Sequence, residues 1–266
     1  MKLLAVLGDP IAHSLSPLMH NFVYQQNAIA AVYTRLRVED GYKLREIFEA
    51  NRLYGANITL PHKEAAFAQA DEITSGAKKI GAVNTWVKKE GRVAGYNTDA
   101  EGFIASIAPL SGVKSALILG AGGAARAIAI ALIDKGVAAS VVNRSEARLE
   151  FFAKNGARIF GWSNLPQERF DLVVNTTSAG LKDGDLPLER DALKAYLSGA
   201  KTAYDVIYGV ETPFLRLAKA LGIDAKDGED MLAFQGAIAH SLFFGGEVSA
   251  IAKQMKTALR LPKIWR

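Results

Sequence analysis

Lys63 and Asp99 are the side chains of this sequence best suited to exchange a proton with a bound molecule. A lysine beside a carboxylate, partly withdrawn from water, can trade a proton with a ligand oxygen. Both belong to polar clusters placed where a strand or hairpin arm should end. The first cluster is His13-Ser14-Leu15-Ser16-Pro17, and the second is Asn57-Ile58-Thr59-Leu60-Pro61-His62-Lys63. The third joins Asn84-Thr85 to Asn97-Thr98-Asp99. Ligands of open α/β sheets bind beyond the carboxyl ends of strands, so the three clusters are expected to converge on one cleft. A plainer reading stays open for each: Lys63 as a surface lysine, Asp99 as a helix N-cap, Ser16 as a cap before Pro17. His13, His20, His62 and His240 lack metal-ligand spacing and are read as structural or incidental, so no metal is expected.

A different chemistry is encoded at Gly120-Ala121-Gly122-Gly123-Ala124-Ala125, which follows the apolar run 116–119 and leads into a helical pattern. The first glycine permits a tight turn, and the second lets the backbone approach a pyrophosphate. Ala125, in the third place, allows close packing of helix on strand. The helix N-terminus would offer unpaired N–H groups to phosphate. About 20 residues on, where NAD sites place an acidic residue, the sequence reads Asn143-Arg144-Ser145 with Arg148 beyond it. Guanidinium groups would clamp the 2′-phosphate of NADP, whereas a carboxylate would repel it. The alternative is that both arginines are ordinary exposed residues at a helix start. A nicotinamide cofactor and a proton-exchanging pair together specify hydride transfer with one proton moved.

These residues need elements to hold them. Strands are expected over 3–7, 31–38 and 54–59, with a hairpin over 82–88 and 92–96 around Glu90-Gly91. Helices are expected over 17–26, from the cap Asp40 to about 50, from Pro61 onward, and from 97–99 to about 107, closed by Pro109 and Gly112. A second series reads strand 115–119, helix 124–135, strand 139–142 and helix 146–154, then strands near 157–160, 172–175 and 202–206. The end is helical from about 229 to 260, broken at Gly245-Gly246. Strands alternating with helices imply parallel sheets, and two series parting near Asp99 imply an α/β fold of two α/β domains.

Bulk properties narrow the classes. The chain has 266 residues, half of them apolar, enough for two cores. The absence of cysteine excludes disulfide frameworks and thiolate metal sites. The apolar run after Lys2 is too short for a signal peptide, and no run has transmembrane length, so a cytoplasmic protein without membrane contact is expected. The net charge of +5 favours an anionic partner. Lys253, Lys256, Arg260, Lys263 and Arg266 recur at helical spacing and read as a solvated face, so no nucleic acid is expected. A small anionic ligand or a phosphorylated cofactor suits the charge better.

The sequence resembles the shikimate dehydrogenases over nearly its whole length. The resemblance is carried by Gly8-Asp9-Pro10-Ile11 with Ser14-x-Ser16-Pro17, Gly55-x-Asn57-Ile58-Thr59-x-Pro61-x-Lys63 and Gly81-Ala82-Val83-Asn84-Thr85. It continues through Gly95-x-Asn97-Thr98-Asp99, Gly120-Ala121-Gly122-Gly123, Asn143-Arg144 and Asn175-x-Thr177-Ser178. It closes with Asp227-Gly228-x-x-Met231-Leu232-x-x-Gln235. The resemblance implies reversible reduction of 3-dehydroshikimate to shikimate with NADPH, a step in aromatic amino-acid biosynthesis. It implies Lys63 and Asp99 as the catalytic pair, and Ser14 and Ser16, with Tyr208 nearby, as holders of the substrate carboxylate. Asn57, Thr59, Asn84, Thr98 and Gln235 would contact ring hydroxyls or shape their pocket. Gly120, Ala121, Gly122, Gly123 and Ala124 would cradle the pyrophosphate, and Asn143, Arg144, Ser145 and Arg148 the 2′-phosphate side. Met231 would lie against the nicotinamide, with Thr177 and Gly228 also on the cofactor.

The implied fold has a mixed-sheet substrate-binding domain over 1–98, completed by C-terminal helices 234–266, and a Rossmann-type NADP-binding domain over 99–233. A monomer or homodimer acting on a small anionic polyol is expected. Three positions depart from the family pattern: Thr176 replaces a common alanine, Leu181 a frequent methionine, and the Tyr208 segment lacks a proline two residues after the tyrosine. Two other readings remain at this point, a quinate/shikimate enzyme of broader substrate and cofactor use, and a non-catalytic NADP-binding regulator of the same fold.

Overall fold

The computed structural model describes residues 1–108, 112–181 and 184–262. The chain forms two units, Met1–Gly102 with Ala233–Arg266, and Phe103–Leu232.

The N-terminal stretch supplies β1 (Lys2–Gly8), α1 (Ser16–Gln26), β2 (Ala31–Arg37), a 3₁₀ turn (Gly41–Lys43), α2 (Leu44–Ala50) and β3 (Gly55–Ile58). It continues with α3 (Lys63–Gln69), β4 (Glu72–Ile73), α4 (Ser75–Ile80), the hairpin β5 (Thr85–Lys89) and β6 (Arg92–Tyr96), and α5 (Asp99–Ile107). The strands form one mixed sheet in the order β2-β1-β3-β5-β6-β4. β1 runs parallel to β2 and β3, whereas β5 is antiparallel to both β3 and β6. The carboxyl ends of β1, β3 and β6 and the amino end of β5 therefore share one edge. The register sets Arg35, Val6, Asn57, Thr85 and Tyr96 in a row across five strands. One face buries Ala5, Leu7, Ala56, Ile58 and Trp86; the other buries Leu4, Val6, Tyr33 and Val87.

The middle of the chain supplies β7 (Ser115–Leu119), α6 (Gly123–Asp134), β8 (Ala138–Val142), a 3₁₀ turn (Glu146–Arg148), α7 (Glu150–Lys154) and β9 (Arg158–Phe160). Then come β10 (Leu172–Asn175), α8 (Arg190–Ser198), β11 (Thr202–Asp205), α9 (Pro213–Ala220) and β12 (Asp224–Lys226). All six strands are parallel, in the order β12-β11-β10-β7-β8-β9. Counted within the unit this is the doubly wound order 3-2-1-4-5-6, whose direction reverses between β7 and β10. The chain ends in α10 (Glu229–Phe244) and α11 (Val248–Leu259), separated by Gly245 and Gly246 in left-handed conformation. α11 packs against α1.

Several expectations change in detail. Ser16 does not cap α1; the helix starts at Ser16 itself, and the Ser14 hydroxyl accepts its N–H at 3.4 Å. α3 starts at Lys63 rather than Pro61, because the His62 N–H first closes a turn onto the Thr59 carbonyl at 3.0 Å. Asp40 caps a 3₁₀ turn, through Tyr42 N–H at 2.9 Å, and α2 follows. The stretch 146–154 is a 3₁₀ turn and a short helix, not one helix. The elements β4, α4, α8, α9 and β12 add to those expected. Pro109, Lys263 and Arg266 lie outside the described residues. Lys253 and Arg260 are exposed, and Lys256 lies over the Phe234 ring. No helix among the described residues is long and apolar enough to cross a membrane.

His20 stacks on Tyr33 at 4.2 Å between ring centres, with His240 6.2 Å away. Burial pushes the imidazoles down, His20 to about 3 and His240 to about 4, and the nearby His240 adds to the cost of charging His20. The unfolded chain binds these protons near the ordinary pH of about 6.5, so the folded state loses stability as pH falls below that point. Asp205, pushed up to about 6 by burial, contributes in the opposite sense. Its folded form keeps a proton the unfolded chain has lost, so it gains stability as pH falls through 6. Comparison with a variant isolates the contribution of His20. In thermal melts from pH 7.5 to 4.5, the midpoint of the native protein should fall more steeply than that of His20→Phe. Parallel curves would remove His20 from the acid limb.

Candidate functional site

Lys63 is the first residue of α3 and Asp99 the first residue of α5. Both helices start at the shared edge of the mixed sheet, just past β3 and β6. Thirty-six positions apart in sequence, the two side chains meet with Lys63 Nζ 2.5 Å from Asp99 Oδ2. They are 13% and 7% exposed, so the pair is largely withdrawn from water yet reachable. Asp99 is the anion of a helix's first turn, which suits the positive end of the helix dipole. A buried ion pair is a poor way to gain stability, because its desolvation cost offsets much of the attraction. Placing a positive and a negative group together here suits proton exchange better than scaffolding. Neither plainer reading fits: Lys63 is not a free surface lysine, and Asp99 lies inside its helix, where its own N–H donates to Asn97 Oδ1 at 3.1 Å.

Asn84 holds the other carboxylate oxygen, its Nδ2 donating to Asp99 Oδ1 at 2.9 Å and to Thr98 Oγ1 at 3.0 Å. Its Oδ1 accepts from the Thr98 N–H at 2.8 Å and the Thr85 hydroxyl at 3.0 Å. Both N–H groups and both lone-pair sites of this amide are thereby engaged by protein. The Thr98 hydroxyl in turn reaches Gln235 Oε1 on α10 at 3.4 Å. Asn57 is likewise engaged, donating to Thr85 Oγ1 at 2.9 Å and to the Asn84 carbonyl at 3.4 Å. Ser14 lies buried in the turn after β1, Ser16 is buried as the first residue of α1, and Thr59 is half-buried after β3. Arg35 fixes the Ser14 turn with two bonds to its carbonyl, at 2.9 and 2.5 Å. The structure thus brings Lys63, Asp99, Asn84, Thr98, Gln235 and Asn57 into one hydrogen-bonded group. It adds Thr85 and Tyr33 to that group, and Arg35 beside it on the Ser14 turn, none of which is assigned a site role from sequence. Thr85 is signalled by its place beside Asn84; the other two alternate along β2 like ordinary strand residues.

In the second unit, Gly120 follows β7 with φ of +110°, and a Cβ there would meet Thr176 Oγ1 at 2.6 Å. The Thr176 hydroxyl donates to the Leu119 carbonyl at 2.7 Å, so this departure from the family pattern tightens the point where the strand order reverses. α6 begins at Gly123, and no side chain caps its N-terminus. A Cβ on Gly122 would enter open space. This leaves an uncapped helix start faced by bare backbone, the shape and polarity that take a pyrophosphate. Arg144 and Arg148 are exposed on the turn after β8, and neither is ion-paired among the described residues. Asn143 shapes that turn, donating to the Ser145 carbonyl at 2.8 Å. No acidic residue occupies the strand end. This chain's residues therefore fit a dinucleotide carrying a 2′-phosphate.

The loops after β10 and β11 are braced by buried polar contacts. Thr177 donates its N–H and hydroxyl to Asn175 Oδ1 at 3.0 and 2.7 Å. Asn175 Nδ2 donates to Asp205 Oδ1 at 3.1 Å, and Asp205 Oδ2 accepts the Thr212 hydroxyl at 2.6 Å. Tyr208 is half-buried on the loop that follows, and Leu181 is at the surface. Gly228 has no room for a side chain, since a Cβ would come 2.3 Å from the Val206 carbonyl oxygen. Met231 is buried at the start of α10. His62 bonds the Val38 carbonyl at 2.6 Å, and no metal-binding group of acidic or imidazole side chains occurs among the described residues.

Residues 6–86 match the family model described as the shikimate dehydrogenase substrate binding domain. The chain is 44% identical over 241 residues to the shikimate dehydrogenase (NADP(+)) of Helicobacter hepaticus, covering 90% of each protein. It is similar in structure to shikimate 5-dehydrogenase from Thermus thermophilus in complex with NADP(H) and shikimate. That likeness has a TM-score of 0.83 and 37% identity, over 97% of this chain and all of the other. It is also similar to shikimate dehydrogenase from Aquifex aeolicus, with a TM-score of 0.88 and 34% identity over 98% of both chains.

Proposed function

The chain belongs to the shikimate dehydrogenase family, and from that premise we propose that it reversibly reduces 3-dehydroshikimate to shikimate with NADPH. The observation that carries the reading is the contact of Lys63 with Asp99 at 2.5 Å, largely shielded from water, at the edge where strand ends converge. Unit 1 binds the substrate and unit 2 the cofactor. Bound NADPH supplies the two electrons and the hydrogen that go to the carbonyl carbon. Lys63 gives a proton from Nζ to the carbonyl oxygen as that carbon is reduced, and takes it back in the reverse direction. Asp99 keeps the amine in place and balances its charge, and Asn84 holds Asp99 by its second oxygen.

Ser14 and Ser16 take the substrate carboxylate through their hydroxyls. Thr59 and Gln235 meet ring hydroxyls. Asn57, Asn84 and Thr98 shape the pocket, because their amide and hydroxyl groups are largely committed to one another. The uncapped start of α6, with Gly120, Ala121, Gly122, Gly123 and Ala124, receives the pyrophosphate. Asn143, Arg144, Ser145 and Arg148 hold the 2′-phosphate; Thr177, Gly228 and Met231 line the nicotinamide side. A small polyol acid and a phosphorylated cofactor suit the net charge of +5, and the protein works as a monomer or homodimer in the cytoplasm.

The test is an absorbance assay of purified protein with shikimate or quinate, and with NADP⁺ or NAD⁺. Sites built to hydrogen-bond particular hydroxyls discriminate strongly between analogues. Shikimate with NADP⁺ should exceed either alternative by about 100-fold in kcat/KM, the effect of about 2.7 kcal/mol in transition-state binding. Equal use of quinate and NAD⁺ would defeat the assignment, and no turnover at all would return the chain to the class of regulators.

A further inference from the structure

We infer that Tyr33, acting through Asn57 and Thr85, positions the Asn84 amide that holds Asp99. A phenol buried on β2 is then part of the proton-transfer machinery as a positioning residue. The inference rests on the reading of Lys63 and Asp99 as the proton-exchanging pair.

The hydrogen bonds run in one direction. The Tyr33 hydroxyl donates to Asn57 Oδ1 at 2.6 Å, and Asn57 Nδ2 donates to Thr85 Oγ1 at 2.9 Å. The Thr85 hydroxyl donates to Asn84 Oδ1 at 3.0 Å, and Asn84 Nδ2 donates to Asp99 Oδ1 at 2.9 Å. The direction is fixed at the carboxylate, which only accepts, and at the Thr98 N–H, which only donates and meets Asn84 Oδ1 at 2.8 Å. Asn84 must therefore turn its oxygen to Thr85. Thr85 must then accept from Asn57, and Asn57 must turn its oxygen to Tyr33. Only a donor fits that last position. Burial holds the Tyr33 phenol protonated, well above its ordinary range, so it remains a donor at any working pH.

The fold also holds the far end still. Asn21 clamps the Tyr33 backbone, donating to its carbonyl at 2.8 Å and accepting its N–H at 2.9 Å. The Tyr33 ring lies flat on His20, with an interplanar angle of 3°. Asn57 and Thr85 face each other across β3 and β5 in the sheet register. A chain of polar groups this buried strengthens link by link and leaves each amide one orientation. Without the phenol hydroxyl, Asn57 Oδ1 loses its buried partner, and the amide is held only through its Nδ2 by Thr85 Oγ1 and the Asn84 carbonyl. The disturbance then reaches Asn84 through Thr85. Since the Thr98 N–H also holds Asn84, the chain sharpens its orientation rather than creating it.

The test compares steady-state kinetics of the full-length protein and of Tyr33→Phe, Thr85→Val, Thr85→Ser, Asp99→Asn and the double variant Tyr33→Phe/Thr85→Val. Losing one neutral hydrogen bond's worth of positioning lowers kcat about fivefold. That fall is expected in Tyr33→Phe and in Thr85→Val, with KM for NADP⁺ unchanged. The double variant should be no worse than its poorer parent, and Thr85→Ser, which restores the hydroxyl, should recover most of the loss. Unchanged kcat in either single variant, or losses that multiply in the double variant, would overturn the inference. Should Tyr33→Phe fail to fold, the contrast of Thr85→Val with Thr85→Ser decides alone: equal kcat in those two sinks the chain. Asp99→Asn separates the two layers. Full turnover there defeats the catalytic pair itself, whereas a collapse there with unchanged Tyr33→Phe and Thr85→Val defeats only the chain.

Discussion

Lys63→Ala is expected to lower kcat about 1,000-fold, within the range that a positioned acid or base contributes, while leaving NADP⁺ affinity within about twofold. The split follows from where the residue lies. Lys63 belongs to the unit that carries the polar clusters, and the glycine turn and the arginines belong to the other. Removing the amine takes away the cationic donor that meets Asp99 through a charged hydrogen bond. It also leaves the Asp99 carboxylate, 7% exposed, with the neutral amide of Asn84 as its side-chain donor. Removing one partner of a buried pair strands the other, at a cost of about 3–5 kcal/mol when burial is complete. At the partly open edge of a sheet the cost should be smaller, so the variant should fold with a lowered melting midpoint. Turnover by absorbance, cofactor affinity by fluorescence titration and melting by circular dichroism check the three parts separately. Retention of more than about a tenth of kcat, far above what loss of an acid or base allows, would take Lys63 out of the chemistry.

That pairing is legible in the sequence because each partner follows a strand end, and strand ends in α/β sheets gather at one edge. The glycine turn, the strand before it and the helix after it are legible for a similar reason: each residue type answers a local geometric need. What stays hidden is of another kind. Tyr33 and Arg35 alternate along β2 and carry no local mark of function. Their roles come from the register, which sets Arg35 and Asn57 in one row and brings Tyr33 onto the same face. Sequence gives a strand's period but not its neighbours. The start of α1 misleads because Ser14, two positions upstream of the helix, takes the place that a serine at the boundary usually holds. β4 and β12 are strands of two and three residues, too short to show alternation, and α4 is a six-residue helix. α8 and α9, by contrast, have caps at Glu189 and Thr212 that mark their starts in the sequence. The division between units is likewise inside helices, after Gly102 and before Ala233, where composition does not change.

Replacing both Arg144 and Arg148 by alanine is expected to raise KM for NADP⁺ about 100-fold and to leave KM for NAD⁺ nearly unchanged. The 2′-phosphate carries close to two negative charges, and hydrogen bonds to charged groups contribute about 1.5–3 kcal/mol each. Two such bonds removed from an exposed turn, where solvent screens them, amount to about the 2.7 kcal/mol that a 100-fold change requires. Arg144 stands nearest the end of β8, where the ribose of a dinucleotide is read, so Arg144→Ala alone should account for most of the effect. Glu146, the acidic residue of that turn, makes no ion pair with either arginine, and its carboxylate lies against Gly161. The two cations are therefore not neutralised by their own loop. Salt offers an independent readout. Exposed charges are screened over about 10 Å at 0.1 M ionic strength, so KM for NADP⁺ in the native protein should climb with added salt, and in the double variant it should stay level. If the double variant kept its preference for NADP⁺, the discrimination would have to come from residues other than this arginine pair, and the reading of the β8 turn as the phosphate site would fall.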